Sequence, residues 1–132
     1  MPDPPDSIPE SHRDLLQSRV AILATLGRNG RPQVSALWFL AEGDTVRISL
    51  NNSRQKFKNL QRNPAVSLVL LDHANPGRYV ELRGDAQIEP DPDYTFADRV
   101  GAKYDVDLRT RDKPGEGRVV VTIHPSRVRT WG

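Results

Sequence analysis

At 132 residues and 14.8 kDa the chain has room for one compact domain, since separate domains run to on the order of 100 to 200 residues each. It contains no cysteine, which excludes disulfides, thiolate nucleophiles and cysteine zinc sites, and His12, His73 and His124 stand too far apart to point to a histidine metal site. No stretch approaches the roughly 18 to 20 apolar residues of a membrane span, and the acidic, proline-rich start is unlike a secretion signal, so a cytoplasmic protein with no membrane partner is expected.

The predicted elements begin after a proline-stiffened, flexible tail over residues 1–10; a single domain over 11–132 follows. Ser11 stands where it would cap a short helical segment carrying Leu15 and Leu16. Residues 19–26 form an apolar run ending in Gly27-Arg28-Asn29-Gly30, the pattern of a buried strand entering a hairpin. The partner strand, 33–40, alternates so that Val34, Ala36, Trp38 and Leu40 share one face and Gln33, Ser35, Leu37 and Phe39 the other. Glu42-Gly43-Asp44 turns the chain into a strand over 45–50, with Val46, Ile48 and Leu50 on one side. Asn51-Asn52-Ser53 breaks that strand, and 54–62 reads as a short helix with Phe57 and Leu60 on one face, stopped by Asn63-Pro64.

Residues 65–71 are a second continuous apolar run. Asn75-Pro76-Gly77 then predicts a turn into a strand over 79–88, where Val80, Leu82, Gly84, Ala86 and Ile88 alternate with polar residues. Residues 91–104 support a helix, with Phe96, Val100 and Tyr104 four apart. The charged, glycine-punctuated stretch 105–117 reads as a mobile loop. Residues 118–124 and 128–131 flank Pro125 as one strand and a second short one. About six antiparallel strands, with helices after the third and the fifth, predict a mainly β fold, a small closed or nearly closed barrel. The runs at 19–26 and 65–71 are apolar on both faces, which predicts a second copy of the chain covering one of them.

Charge is unevenly placed. The net charge is +2, yet residues 45–71 carry Arg47, Arg54, Lys56, Lys58 and Arg62 and no acid, which leaves 14 basic residues against all 17 acidic ones elsewhere. The chain is therefore one basic locus on an acidic body. A helix N-terminus carries partial positive charge and normally attracts acids, and opposed cations there cost roughly 0.3 to 1 kcal/mol each. Arg54 and Lys56 occupy that turn instead. Backbone N–H groups, the Ser53 hydroxyl and two cations together make an anion site, for which a phosphate is the natural ligand; the same charges would also suit a plain solvated helix. A nucleic-acid surface would want several separated basic stretches with aromatic platforms, so no nucleic-acid partner is expected.

Taken in order, several motifs carry a family resemblance: Ala24-Thr25-Leu26, Gly30-Arg31-Pro32-Gln33-Val34-Ser35, Ile48-Ser49-Leu50, Arg54-Gln55-Lys56-Phe57-Lys58-Asn59-Leu60, Asn63-Pro64-Ala65, Glu81-Leu82-Arg83-Gly84-Asp85-Ala86 and Ile123-His124-Pro125-Ser126-Arg127-Val128. From about residue 18 onward the chain resembles the split β-barrel flavin and deazaflavin oxidoreductases, and most of all the pyridoxamine-phosphate-oxidase-like group that uses coenzyme F420. The resemblance implies a six- to seven-stranded antiparallel split β-barrel, homodimeric, with a tricyclic ring in each cleft between subunits and the coenzyme phosphate on the basic strand-to-helix corner. Position by position it implies Arg54 and Lys56 on the phosphate, Ser49 and Asn51 along the ribityl path, and Gln33, Ser35 and Leu37 beside the ring. Trp38 would lie near the ring or the substrate, or else in the core. Tyr79, with Arg127 and Trp131, would reach the partner's cleft, or Tyr79 would cap the barrel edge and Trp131 seal the interface.

The implied activity is hydride transfer from reduced F420 to an electron-poor double bond of a small organic substrate, and quinones, tetrapyrroles, conjugated lactones and enones all fit that description. The coenzyme carries the chemistry, so no catalytic side chain stands out and water is the expected proton source. FMN is the alternative cofactor, in an oxidase or reductase on the same fold; a non-catalytic cofactor- or haem-binding barrel is a further alternative. The acidic tail of F420 would favour additional cations, for which Lys58, Arg78 and the 109–113 stretch are candidates.

Overall fold

The structure, a computed structural model, describes residues 7–132. Seven strands form one antiparallel sheet: β1 (Ala21–Leu26), β2 (Pro32–Leu37), β3 (Leu40–Glu42), β4 (Thr45–Asn51), β5 (Ala65–Asp72), β6 (Asn75–Pro90) and β7 (Arg118–Trp131), in the order β2-β1-β5-β6-β7-β4-β3. Helix α1 (Gln55–Arg62) follows β4 and helix α2 (Thr95–Tyr104) follows β6, with short 3-10 segments at Glu10–Gln17 and Leu108–Arg111. The two edge strands, β2 and β3, are neighbours in sequence, joined only by Trp38 and Phe39. The sheet must therefore curl until its edges meet at that link, giving a mainly β split barrel. No helix among the described residues is long and apolar enough to cross a membrane.

Period-two patterning sets what points inward. Ala21 and Leu23 of β1, Val46, Ile48 and Leu50 of β4, Val66, Leu68 and Leu70 of β5, Val80 and Leu82 of β6, and Val119, Val121 and Ile123 of β7 fill the barrel. Val120 points to the other side of β7, where Phe96, Ala97, Val100 and Tyr104 of α2 and Leu108 form a second cluster. That second layer is why residues 118–124 are apolar on both faces. The buried Asp91 carboxylate accepts the Phe96 and Ala97 N–H groups at 3.2 and 3.0 Å, which places the start of α2 at Thr95 instead of residue 91.

Several sequence expectations are corrected. Residues 1–6 of the expected tail lie outside the described residues, but Ile8 is buried in the core and the 3-10 segment starts at Glu10. His12 of that segment is buried as well; its Nε2 donates to the Trp131 carbonyl at 2.9 Å, pinning the N-terminal segment to the end of β7. The single strand expected over 33–40 is two, because the fully buried Phe39 leaves the ladder to donate its N–H to the Tyr104 hydroxyl at 3.1 Å. The strand expected from residue 79 begins at Asn75, so the turn lies at residues 73–74, where the Asp72 carboxylate accepts the Ala74 N–H. Pro125 does not divide the last strand. A register shift opposite Arg83 and Gly84 absorbs it, and β7 runs unbroken to Trp131. The stretch 105–117 is anchored, with Leu108 and the Asp112 side chain buried.

Two predictions test this packing. A Cβ on Gly84 would sit 2.2 Å from the His124 carbonyl oxygen, within rigid backbone. Gly84→Ala should therefore lower the urea-unfolding free energy by about 1 to 3 kcal/mol; an unchanged midpoint would show that the bulge relaxes freely. Lys103 donates to the Ser18 and Phe39 carbonyls at 3.1 and 2.9 Å, and burial, with Arg19 nearby, pushes its ammonium from 10.5 down to about 8. The unfolded chain thus holds this proton more tightly than the folded one, so the cost of keeping Lys103 charged is present below about pH 8 and is removed as the pH rises towards 10.5. Stability of the wild type minus that of Lys103→Met, followed by urea unfolding, should rise between those two limits.

Candidate functional site

The curl leaves a gap between the end of β2 and the face of β4, and a cleft of about 670 Å³ opens there. Ala36, Leu37 and Trp38 form one wall; Ile48, Ser49, Leu50 and Asn51 of β4 form the floor; Ser53, Arg54 and Lys56 close one end. The loop after α2 supplies the remaining side through Leu108, Arg111, Lys113 and Glu116, with Arg118 at the start of β7.

The corner between β4 and α1 is built by Asn51. Its Oδ1 accepts the Ser53 N–H and hydroxyl at 2.8 and 2.7 Å, turning the chain so that Arg54, with extended backbone, becomes the residue before the first helical turn. Its Nδ2 donates to Asp112 at 2.8 Å and Glu116 at 3.1 Å. Asp112 also accepts from the Tyr94 hydroxyl at 2.8 Å and pairs with Arg118 at 2.9 Å. Burial disfavours the Asp112 charge, but hydrogen bonds from Arg118, Asn51 and Tyr94 outweigh it and hold the carboxyl below its ordinary range. The backbone N–H of Lys113, followed by Ser53 and Asn51, does the same for Glu116.

Asp112 and Glu116 are thereby committed, and the cations at the β4–α1 corner are not. The first turn of α1 has no acidic residue. Lys56 is only 9% exposed, and neither it nor Arg54 makes an ion pair or a side-chain hydrogen bond among the described residues. Burial, then the neighbouring Arg54 charge, pushes the Lys56 ammonium below its ordinary value. An unpaired ammonium on a lysine whose residue is only 9% exposed, next to a guanidinium and a helix N-terminus, fits an anionic group such as a phosphate.

Of the residues singled out from the sequence, the cleft brings together Leu37, Trp38, Ser49, Asn51, Arg54 and Lys56. Gln33, Ser35 and Tyr79 do not line it. Gln33 accepts from Asn59 of α1 at 3.1 Å, tying the hairpin to the helix, and Ser35 lies half-buried along β2. Tyr79 stacks on Trp131 with centroids 4.8 Å apart, at the opposite end of β7 from Arg118. Among the cations considered for an acidic tail, Arg78 is paired with Asp14 and Asp72 and Arg109 with Asp98, whereas Arg111 and Lys113 face the cleft. Asp112, Glu116 and Arg118 were not singled out; they meet Asn51 only through long-range folding and leave no local signal.

A family model for pyridoxamine 5'-phosphate oxidase matches residues 8–132. The solved structure of an F420 reductase is 35% identical, with a TM-score of 0.81 over 92% of this chain and 98% of that one. A conserved hypothetical protein from Mycobacterium tuberculosis is 30% identical, with a TM-score of 0.71 over 89% of this chain and 80% of that one. General Stress Protein 26 from Bacillus anthracis, at 24% identity and a TM-score of 0.72 over 92% of each chain, shares the fold. A match across nearly the whole described chain, on the strand order and basic corner set out above, makes this protein a member of the pyridoxamine 5'-phosphate oxidase family.

Proposed function

We propose that the cleft seats coenzyme F420 and that the protein is an F420-dependent reductase of electron-poor double bonds in small organic molecules. The observation that carries this reading is the unpaired ammonium of the largely buried Lys56, at the end of the cleft beside Arg54, in a chain 35% identical to an F420 reductase. Arg54 and Lys56 would hold the phosphate, with Ser49 and Asn51 along the polar floor. Leu37, Ile48 and Leu50 offer apolar surface for the ring. Lys113 stands where an acidic tail leaving the cleft meets positive charge.

When bound, the reduced coenzyme supplies a hydride to the electron-poor carbon of the acceptor, the adjacent carbon takes a proton from water, and the coenzyme is left oxidised by two electrons. What the protein contributes is position and charge. The one acid lining the cleft, Glu116, is held as a carboxylate by the Lys113 N–H and Asn51, so it is a poor proton donor and solvent takes that role. The same reading includes a homodimer. Ile22, Ala24 and Leu26 of β1 and Val69 of β5 are only half-buried, Val34 on the edge strand is 64% exposed, and a groove of about 440 Å³ crosses β1, β5 and β6.

Titration of the purified protein with F420 and with FMN, read by fluorescence quenching, should show F420 binding the more tightly; tight FMN with no F420 binding would replace the coenzyme in this reading. Lys56→Ala should weaken F420 binding at least tenfold, as loss of a charged hydrogen bond of about 1.5 to 3 kcal/mol requires, and Arg54→Ala less, because water screens it. Unchanged affinity in both variants would remove the corner from the site. Sedimentation velocity should give twice the chain mass, and a monomer would overturn the dimeric part of the proposal.

A further inference from the structure

Trp38 lies on the link between the two edge strands and lines the cleft. One face of its indole is already used, stacked on Tyr104 with centroids 4.8 Å apart and planes at 14°. Tyr104 is fixed in turn: its hydroxyl donates to the Phe39 carbonyl at 3.2 Å and accepts the Phe39 N–H at 3.1 Å, and the Arg19 guanidinium lies over its ring at 4.9 Å. Stacking on a ring fixed in this way holds the indole in place, so it is a rigid platform in the wall of the cleft. Over the indole, 5.1 Å from its centroid, lies the guanidinium of Arg111.

Arg111 differs from its neighbours in the same loop. Arg109 is paired with Asp98 and Arg118 with Asp112, both at 2.9 Å. Arg111 makes no ion pair and no hydrogen bond with the described residues, and an exposed cation–π contact such as this one is weak. It is a planar, forked donor held loosely over a planar apolar surface, free to turn to a carboxylate. The pair also stands apart in the fold from the β4–α1 corner, since Trp38 packs with the α2 cluster while Leu60 of α1 packs with the barrel core. One cleft thus presents two cation sets, and a phosphate at the corner would leave the second unused.

We infer that Trp38 and Arg111 form the acceptor-recognition element of the cleft, selecting planar conjugated molecules that carry a carboxylate or comparable negative charge next to the ring system. Arg111 swings from over the indole to the anionic substituent, and the conjugated plane takes its place against the ring of Trp38. This deepens the proposed function by naming the acceptor class, and it rests on that function only for the hydride transfer that follows binding.

The test needs no coenzyme. The chain has two tryptophans, so Trp131→Phe leaves Trp38 as the sole indole reporter while keeping an aromatic partner for Tyr79. Fluorescence quenching of this protein by 2-naphthoate and by the uncharged, isosteric 2-naphthamide should show at least tenfold tighter binding of the carboxylate. Arg111→Gln should reduce that preference to within about twofold, and the double variant Arg54→Gln, Lys56→Gln should leave it intact. Equal binding of the two probes, a preference that survives Arg111→Gln, or one abolished by the corner variant would each overturn the inference. A preference carried by Arg111 in a protein that fails to bind F420 would keep this site and discard the coenzyme; F420 binding without the preference would do the reverse.

Discussion

The constraint on which the molecule depends is that the first and last strands of its sheet are joined by two residues. Trp38 and Phe39 connect β2 to β3 across the whole order β2-β1-β5-β6-β7-β4-β3, so the sheet cannot lie open. It also does not close, because β2 and β3 hydrogen-bond only to β1 and β4 respectively. The gap left between β2 and β4 is the cleft. Phe39, buried and bonded through its backbone to Tyr104, anchors the link on one side, and Trp38 is directed into the gap on the other. The same two residues thus close the fold and furnish a wall of the site.

Electrostatics at the cleft follows from how the loop after α2 uses its acids. Asp112 gathers Arg118, Asn51 and Tyr94, and Glu116 gathers Asn51 and the Lys113 N–H. The bonds to Asn51 and Arg118 secure the loop against β4 and β7, and with those from Tyr94 and the Lys113 N–H they occupy carboxylates that would otherwise be free to pair with Arg54, Lys56 and Arg111. A buried pair that is fully hydrogen-bonded adds little net stability, but removing one partner is costly. Asp112 and Arg118 are therefore best understood as fixing the loop wall in place, and the cationic character of the cleft is a consequence of that fixing.

The alternation in residues 45–50 and 79–88 was enough to place two strands and their inward faces, the apolar run at 65–71 placed a third, and the Gly27-Arg28-Asn29-Gly30 turn set the first hairpin. The absence of acids around Arg54 and Lys56 made the corner legible, because charge placed against a helix dipole is visible without coordinates. What the pattern does not show has a common physical source. Gln33 and Ser35 share a face of β2 with Leu37, yet in the single chain only Leu37 lines the cleft and Gln33 bonds to Asn59 of α1, and how far along a strand a cleft extends is not encoded in a period-two pattern. Tyr79 is held by a strand partner, Trp131, at the far end of the ribbon. Pro125 reads as a strand break because a proline lacks an N–H, yet Gly84 opposite, with no Cβ to strike the His124 carbonyl, admits a bulge that only the pairing of two distant strands reveals. The anchoring of 105–117 depends on contacts 61 and 65 residues away in sequence, from Asn51 to Asp112 and to Glu116, and its composition alone reads as a mobile loop.

Lys56 is the residue that favours the proposed anion site at the corner over surface decoration. A solvated helix would point its lysines outward, as Lys58 does, and their charges would be screened. Lys56 is instead drawn down to 9% exposure while Arg54 stands two residues before it, an arrangement that burial and like-charge repulsion both disfavour. Folding alone offers no return for that cost, since a glutamine at the same place would pack without it and an acid in the first turn would complement the dipole. The arrangement becomes favourable once an anion binds, because the partly desolvated ammonium, the guanidinium and the free N–H groups of the turn then act together on one negative group. Local instability in the ligand-free chain and affinity for an anionic ligand are two readings of the same charge placement.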